Sequence, residues 1–275
     1  MSSNPPSAKK DNGLPEFSNP PVVEVAVGMQ FEPLLQLRAI RLGRLRDTWR
    51  AEYPKYEEQP PLGGVLEGSP GGMLSLQLST SPITFSRHWF LSEDGTRLIQ
   101  LQHDRLVVNW RQLNTQSPYP RYSALRASFE ASFTDLSEFV AVENIGEITP
   151  VQVEVTYINA IIPPSGQLWR LDEVISDGYQ PRPGALGEPE QARLAVVYDI
   201  PGLGRPPVRM YLGVENGTKA DGSPAIFLSL TARGAPSAPT FASVLDFADG
   251  ARSHVARGFA ELTTPTMHRI WGRQS

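Results

Sequence analysis

The sequence predicts an α+β fold built of two pseudo-repeated units, and three observations carry that expectation. The segment PPVVEVAVGMQFEP at 20–33 returns as PVQVEVTYINAIIP at 150–163: Pro20, Val23, Glu24, Val25 and Pro33 fall on Pro150, Val153, Glu154, Val155 and Pro163. An apolar stripe at helical spacing, Tyr122, Leu125, Phe129, Phe133 and Leu136, returns 126 positions later as Ala248, Ala251, Val255, Phe259 and Leu262. Each half also reads strand, helix, three or four antiparallel strands, helix, an order that segregates hairpins from helices and so marks α+β rather than alternating α/β.

The elements follow from local periodicity. Val23, Val25, Val27, Met29 and Phe31 alternate, the period of a strand, and Pro33 ends it. From Leu34 to Trp49 the spacing becomes helical, with Leu35, Leu42, Leu45 and Trp49 on one side, and Pro54 closes that helix. PPLGGVLEGSPGG reads as a loop, followed by strands at about 73–79, 83–91, 97–103 and 105–111. Glu93-Asp94-Gly95 and His103-Asp104 supply the hairpin turns. The second half opens with a long strand at 150–162, a weak helical segment at 168–177 and a Pro/Gly-rich loop at 178–189. Strands at 193–199, 207–214 and 225–232 precede the second striped helix. Thr264 is placed to cap a last short helix, with Pro265 in its first turn and Met267, Ile270 and Trp271 along it. Trp49, Trp110, Trp169 and Trp271 read as core or interface anchors.

The 275 residues suffice for two units, expected at 20–147 and 148–275 after a polar, Pro- and Ser-rich leader, 1–19, read as disordered. With 40% apolar residues, 20% charged and a net charge of -4, the composition is that of an ordinary globular chain and makes no demand for nucleic acid or membrane. The absence of cysteine excludes disulfides, thiol catalysis and thiolate zinc sites. No apolar run approaches the roughly 18–20 residues that span a bilayer. A cytoplasmic location is therefore expected, and Asn216-Gly217-Thr218 is read as a turn rather than a glycan site.

Three sets of residues are candidates for function. Gln100, Gln102, Asn109 and Arg111 alternate across a hairpin and would line one polar face, with Arg87, His88 and Trp89 adding a cationic and aromatic contact for a partner. Arg38, Arg41, Arg44, Arg46 and Arg50 crowd the first helix; guanidinium forks match phosphate oxygens, but a solvated basic face, with Glu57 and Glu58 folding back as counter-ions, is the simpler reading. Glu24 and Glu154 are repeat-equivalent and out of phase with the apolar positions, with Arg126 and Arg252 as natural partners. His88, His103, His254 and His268 have no ligand spacing, so no metal is expected. No nucleophile elbow, Walker loop or dinucleotide fingerprint is present, and no cofactor is expected.

Taken together, PPVVEVAVGMQF, DGTRLIQLQHDRLVVNW, YPRY at 119–122 and VEVTYIN at 153–159 resemble a sporadically distributed bacterial protein family of unknown function. The resemblance brings no catalytic residue with it. The patchy distribution implies an accessory gene, linked to defence or mobile elements. By fold analogy the paired units resemble the saddle of the TATA-binding-protein class or two helix-grip modules, and analogy of fold assigns no function. The reading favoured by the sequence is a non-catalytic cytoplasmic binding or assembly protein that engages a protein partner, or further copies of itself, through a sheet face. One alternative is an enzyme or nucleotide-responsive effector whose site gathers Glu24, Arg87, His88, Arg111 and Glu154 in the inter-unit cleft. The other is nucleic-acid binding by the arginine-rich helix.

Overall fold

The computed structural model describes residues 13–63, 85–113, 118–163, 169–176, 191–219 and 222–274. Nine strands form one antiparallel sheet in the order β2-β3-β4-β5-β1-β6-β9-β8-β7. They are β1 (Val22–Phe31), β2 (Lys55–Gln59), β3 (Arg87–Leu91), β4 (Arg97–Gln102), β5 (Arg105–Arg111), β6 (Pro150–Ile161), β7 (Arg193–Asp199), β8 (Arg205–Thr218) and β9 (Pro224–Ala235). The first half of the chain supplies β1 to β5 and the second β6 to β9, so one continuous sheet joins both halves. Their junction is the pairing of β1 with β6, in which Val25 faces Tyr157, Val27 faces Val155 and Met29 faces Val153.

Alternation decides which side of the sheet is buried. Val25, Val27, Met29 and Phe31 on β1 and Val153 and Val155 on β6 are all within 1% of complete burial, whereas Glu24, Ala26, Glu154 and Thr156 are half-exposed. The buried side receives two long helices, α2 (Tyr122–Val142) and α4 (Phe241–Leu262). Helix α2 packs over β5 and β1, and α4 over β6 and β9. The predicted stripe does this packing: Tyr122, Leu125, Phe129 and Leu136 on one helix, and Ala248, Ala251, Val255 and Phe259 on the other, are buried. Where the helices meet, Arg126 Nε donates to both oxygens of Asp249 at 3.0 Å and the Tyr122 hydroxyl donates to Asp249 at 2.8 Å.

The first helix departs from its expectation. A 3-10 turn covers Ala39–Arg41, and helix α1 is confined to Gly43–Trp49. Glycine at 43 is a poor interior helix residue, by about 1 kcal/mol against alanine, and the chain breaks there. Consequently Leu34 and Leu37 are buried and Leu35 is 57% exposed, against the predicted stripe. Trp49 anchors α1, with its ring edge-on to Phe90 at 4.8 Å and its Nε1 donating to Asp135 at 2.8 Å. The segment read as helical at 168–177 forms one turn, α3 (Leu171–Val174). The strand expected at 73–79 and the loop at 178–189 lie outside the described residues.

Of the leader expected to be disordered at 1–19, residues 1–12 lie outside the described residues and the rest is packed against the end of the chain. Leu14 and Phe17 are buried, and Phe17 packs edge-on against Phe259 at 5.4 Å and Trp271 at 6.0 Å. Backbone bonds from Ser18 to Gly272 and from Gln274 to Glu16 tie this stretch to the last helix, α5 (Pro265–Ile270). A short polar stretch carrying one aromatic looks solvated in sequence until a distant groove accepts the ring. Asn216-Gly217-Thr218 is also not a turn: it forms the end of β8, paired with β9, and the reversal follows at Lys219 to Ser223.

Candidate functional site

The sheet face opposite α2 and α4 carries Glu24, Arg87, Gln100, Asn109, Arg111, Glu154 and Arg233, and among the described residues no helix lies on it. On β3, β4, β5 and β1 these residues form a hydrogen-bonded row. Arg87 Nη1 and Trp89 Nε1 both donate to Gln100 Oε1, at 3.1 and 3.0 Å; Gln100 Nε2 donates to Asn109 Oδ1 at 2.7 Å; Asn109 Nδ2 donates to Glu24 Oε1 at 2.8 Å. Gln100 and Asn109 are buried beneath this row, so their amides are committed to holding it in register. Trp89 lies between two guanidinium groups, Arg87 at 5.2 Å and Arg111 at 5.7 Å from its ring.

The electrostatics of the row are unbalanced at Arg87. Its Nε is buried without a hydrogen-bond partner, and among the described residues no carboxylate pairs with it. Burial, and then the like charge of Arg105, lower its pKa from the ordinary arginine value. Arg111 donates its Nε to the Gly95 carbonyl at 3.0 Å. Farther along, Arg105 pairs with Asp104 at 3.4 Å and donates to the Gly63 carbonyl, and Gln102 exchanges bonds with the Leu62 backbone. Residues 62–63 thus cross that end of the face, and Gln102 belongs to the attachment of this segment.

His88 does not share this face. It alternates with Arg87 and Trp89, points with Phe90 into the helix side of the sheet, stacks on Tyr56 at 6.0 Å and places Nδ1 2.8 Å from the Tyr56 hydroxyl. Of the seven residues grouped by sequence, Arg87, Trp89, Gln100, Asn109 and Arg111 come together, Gln102 lies beside them under Leu62, and His88 is separated by the thickness of the sheet.

The second half presents a related arrangement that sequence reading missed. Glu154 on β6 stands opposite Arg233 on β9, 3.4 Å from its Nε, and Arg233 lies over the Tyr211 ring at 4.8 Å. In the first half Glu24 stands opposite Arg111, which lies over Trp89. The repeat-equivalent glutamates therefore face arginines of the neighbouring strands, and not Arg126 and Arg252 as expected. Those two belong to the helix layer, where Arg126 binds Asp249 and Glu130 and Arg252 lies over the Tyr122 ring at 5.7 Å. The Arg111 and Arg233 correspondence was hidden because the spacing between strands differs in the two halves, 122 positions here against 130 for the glutamates.

The arginines of the first helix are dispersed. Arg38 precedes the 3-10 turn and donates to the Leu35 carbonyl; Arg41 and Arg44 reach Glu143, at 3.3 Å to its carbonyl and 3.9 Å to its carboxylate; Arg50 pairs with Asp47 at 3.7 Å; Arg46 lies over Tyr56. The expected counter-ions Glu57 and Glu58 are on β2 instead, facing Trp89 and His88 across the ladder. Of the five cleft candidates, Glu24, Arg87 and Arg111 belong to the row, while His88 is on the helix side, and no described pocket gathers them. The space beside Glu154, bounded by Gln30, Arg105, Val107 and Gln152, is about 10 Å³, room for a single water. A shallow depression of about 530 Å³ beside Glu52, Ser92, Asp94 and Arg97 contains none of them. Among the described residues no helix is long and apolar enough to cross a membrane. Neither family models, characterised proteins nor solved structures match this chain.

Proposed function

We propose that this chain is a non-catalytic binding or assembly protein, built of two pseudo-equivalent units, that docks a protein partner on the face of its sheet opposite α2 and α4. The observation that carries the reading is the placement of α2 and α4 on one side, which leaves guanidinium–aromatic groups at Arg87, Trp89 and Arg111 and at Arg233 and Tyr211 on the other. Arg87 selects the partner's chemistry. A partly buried cation beside a like charge is stabilised by an incoming carboxylate, so the partner presents an acidic segment to this half of the face. Aromatic and arginine side chains are also the residue types that dominate protein interfaces.

The register of the central pair supports the two-unit reading. An offset of 130 makes Ala26 and Thr156 equivalent, and these two residues face one another in the β1–β6 ladder. A two-fold axis through the sheet requires a residue to meet its own counterpart. In the helix layer each of the repeat-equivalent arginines reaches the other long helix, Arg126 to Asp249 and Arg252 to Tyr122. Such an arrangement supports the two-unit reading and offers a broad docking surface in place of an enclosed pocket.

The test is a pulldown from native extract with the wild type, Arg87→Glu/Arg111→Glu, and a helix-face control, Arg257→Glu. Binding that survives the control and falls by roughly tenfold or more in the double variant agrees with loss of two charged contacts worth about 1 kcal/mol or more each. Equal capture by all three proteins contradicts the reading.

A further inference from the structure

We propose that the outer edge of β7 is a self-association site, at which two copies of the chain pair β7 with β7, antiparallel about Val196, and merge their sheets. The proposal stands independently of the open-face reading, since it uses the edge of the sheet and not its face.

The two edges of this sheet differ. Strand β2, KYEEQ, is charged and exposed, and self-pairing about its centre would set Glu57 against Glu57. Like charges directly opposite destabilise a ladder, so this edge is blunted. Strand β7, RLAVVYD, has no charge between its ends; Val197 is 55% exposed and Tyr198 36%. Among the described residues no strand lies beyond it in the sheet order. An apolar edge of seven residues is a template for another strand.

The backbone shows which groups are available. Ile200 donates its N–H to Val208 and the Ala192 carbonyl accepts from Asn216, so the even-numbered residues of this strand turn their amides toward β8. Successive residues alternate, and Arg193, Ala195, Val197 and Asp199 therefore turn theirs outward. With Val196 on a two-fold axis, Arg193 meets Asp199 of the second copy and Ala195 meets Val197. These are the hydrogen-bonded positions of an antiparallel pair, which would exchange about eight backbone bonds.

Charge fixes both the occupant and the register. The strand begins with a cation and ends with an anion, equally spaced from Val196, so it is complementary to itself in antiparallel orientation. Within one chain Arg193 already pairs with Glu215 at 3.4 Å, and Asp199 faces Arg209. Across the junction the row reads Glu215, Arg193, Asp199 of the second copy, Arg209 of the second copy, with signs alternating throughout. On the other side of the sheet Val196 meets its own copy and Leu194 meets Tyr198, apolar against apolar. A closed two-fold contact of this kind consumes both free edges and stops at two copies.

Size-exclusion chromatography with light scattering on the full chain tests the proposal, beside Val197→Pro. Proline at 197 removes a donor that faces away from β8, a replacement an edge strand accepts. The expected result is a mass twice the 30.3 kDa of the chain for the wild type and a single-chain mass for a folded Val197→Pro. A wild type that stays at the single-chain mass at all concentrations, or a variant that remains double, overturns the proposal. Should the variant fail to fold, hydrogen exchange of the wild type decides. In a β7-paired dimer the amides of Ala195 and Val197 exchange as slowly as that of Val196. Exchange about tenfold or more faster at high protein concentration overturns it.

Discussion

Arg87 occupies a place that an isolated cation would avoid: it is partly buried, it is near Arg105, and among the described residues its hydrogen-bond partner is a neutral amide. The cost is tolerated because the same side chain caps the Gln100–Asn109–Glu24 row and packs on Trp89. His88, one position away on the opposite face, carries a different consequence. Burial lowers its pKa below the usual value of about 6.5, and nearby Glu58 only partly opposes this. A histidine whose folded pKa lies below its unfolded one adds stability above the unfolded pKa. That stability is lost as pH falls from about 6.5 through the folded value, because only the unfolded chain takes up the proton. Thermal unfolding at pH 7.5 and 5.5 is expected to show a lower midpoint at the acid pH, and His88→Gln a smaller drop. A residual drop remains in the variant, since burial also lowers the pKa of His103, His254 and His268. An unchanged pH response in His88→Gln contradicts the assignment.

At the scale of elements, helix α5 shows how a short segment is fixed by its end. Thr264 Oγ1 accepts from the Met267 N–H at 3.3 Å and donates to the Glu173 carbonyl at 2.6 Å, joining α5 to α3. Thr264→Ala is expected to cost about 1 kcal/mol and lower the unfolding midpoint by about 2–4 °C. A midpoint unchanged by the substitution would mean that the packing of Met267 and Trp271 alone secures the helix. The cap was legible in sequence because Thr-Pro is a local signal, as were β1, β5 and β7, whose alternation or turn residues mark both ends. Strand β2 was not legible. At an edge with little burial nothing enforces apolar alternation, and KYEEQ carries none. Helix α1 was overextended because leucine spacing continues through a stretch that glycine interrupts. The open-face row was foreseen in its phase, Gln100 with Asn109 and Arg111. Misassigned partners for Glu24 and Glu154 have a physical cause: cross-strand neighbours depend on register, and register is not written in either strand alone.

For the whole molecule, the architecture rests on the central β1–β6 pair. It makes one sheet of two halves, sets both long helices on one side, and leaves the other side as a surface lined by Glu24, Arg111, Glu154 and Arg233. One face holds the core under α2 and α4, and the other is the one on which docking is proposed. The chain's lack of cysteine allows a single introduced thiol to report on either face. The most direct measurement is the maleimide labelling rate of Thr231→Cys, on the open face, and of Ala131→Cys, on the exposed side of α2, with and without the captured partner. Protection of position 231 by the partner, with position 131 labelled at an unchanged rate, is the predicted result. Protection of 131 with 231 left reactive would contradict it.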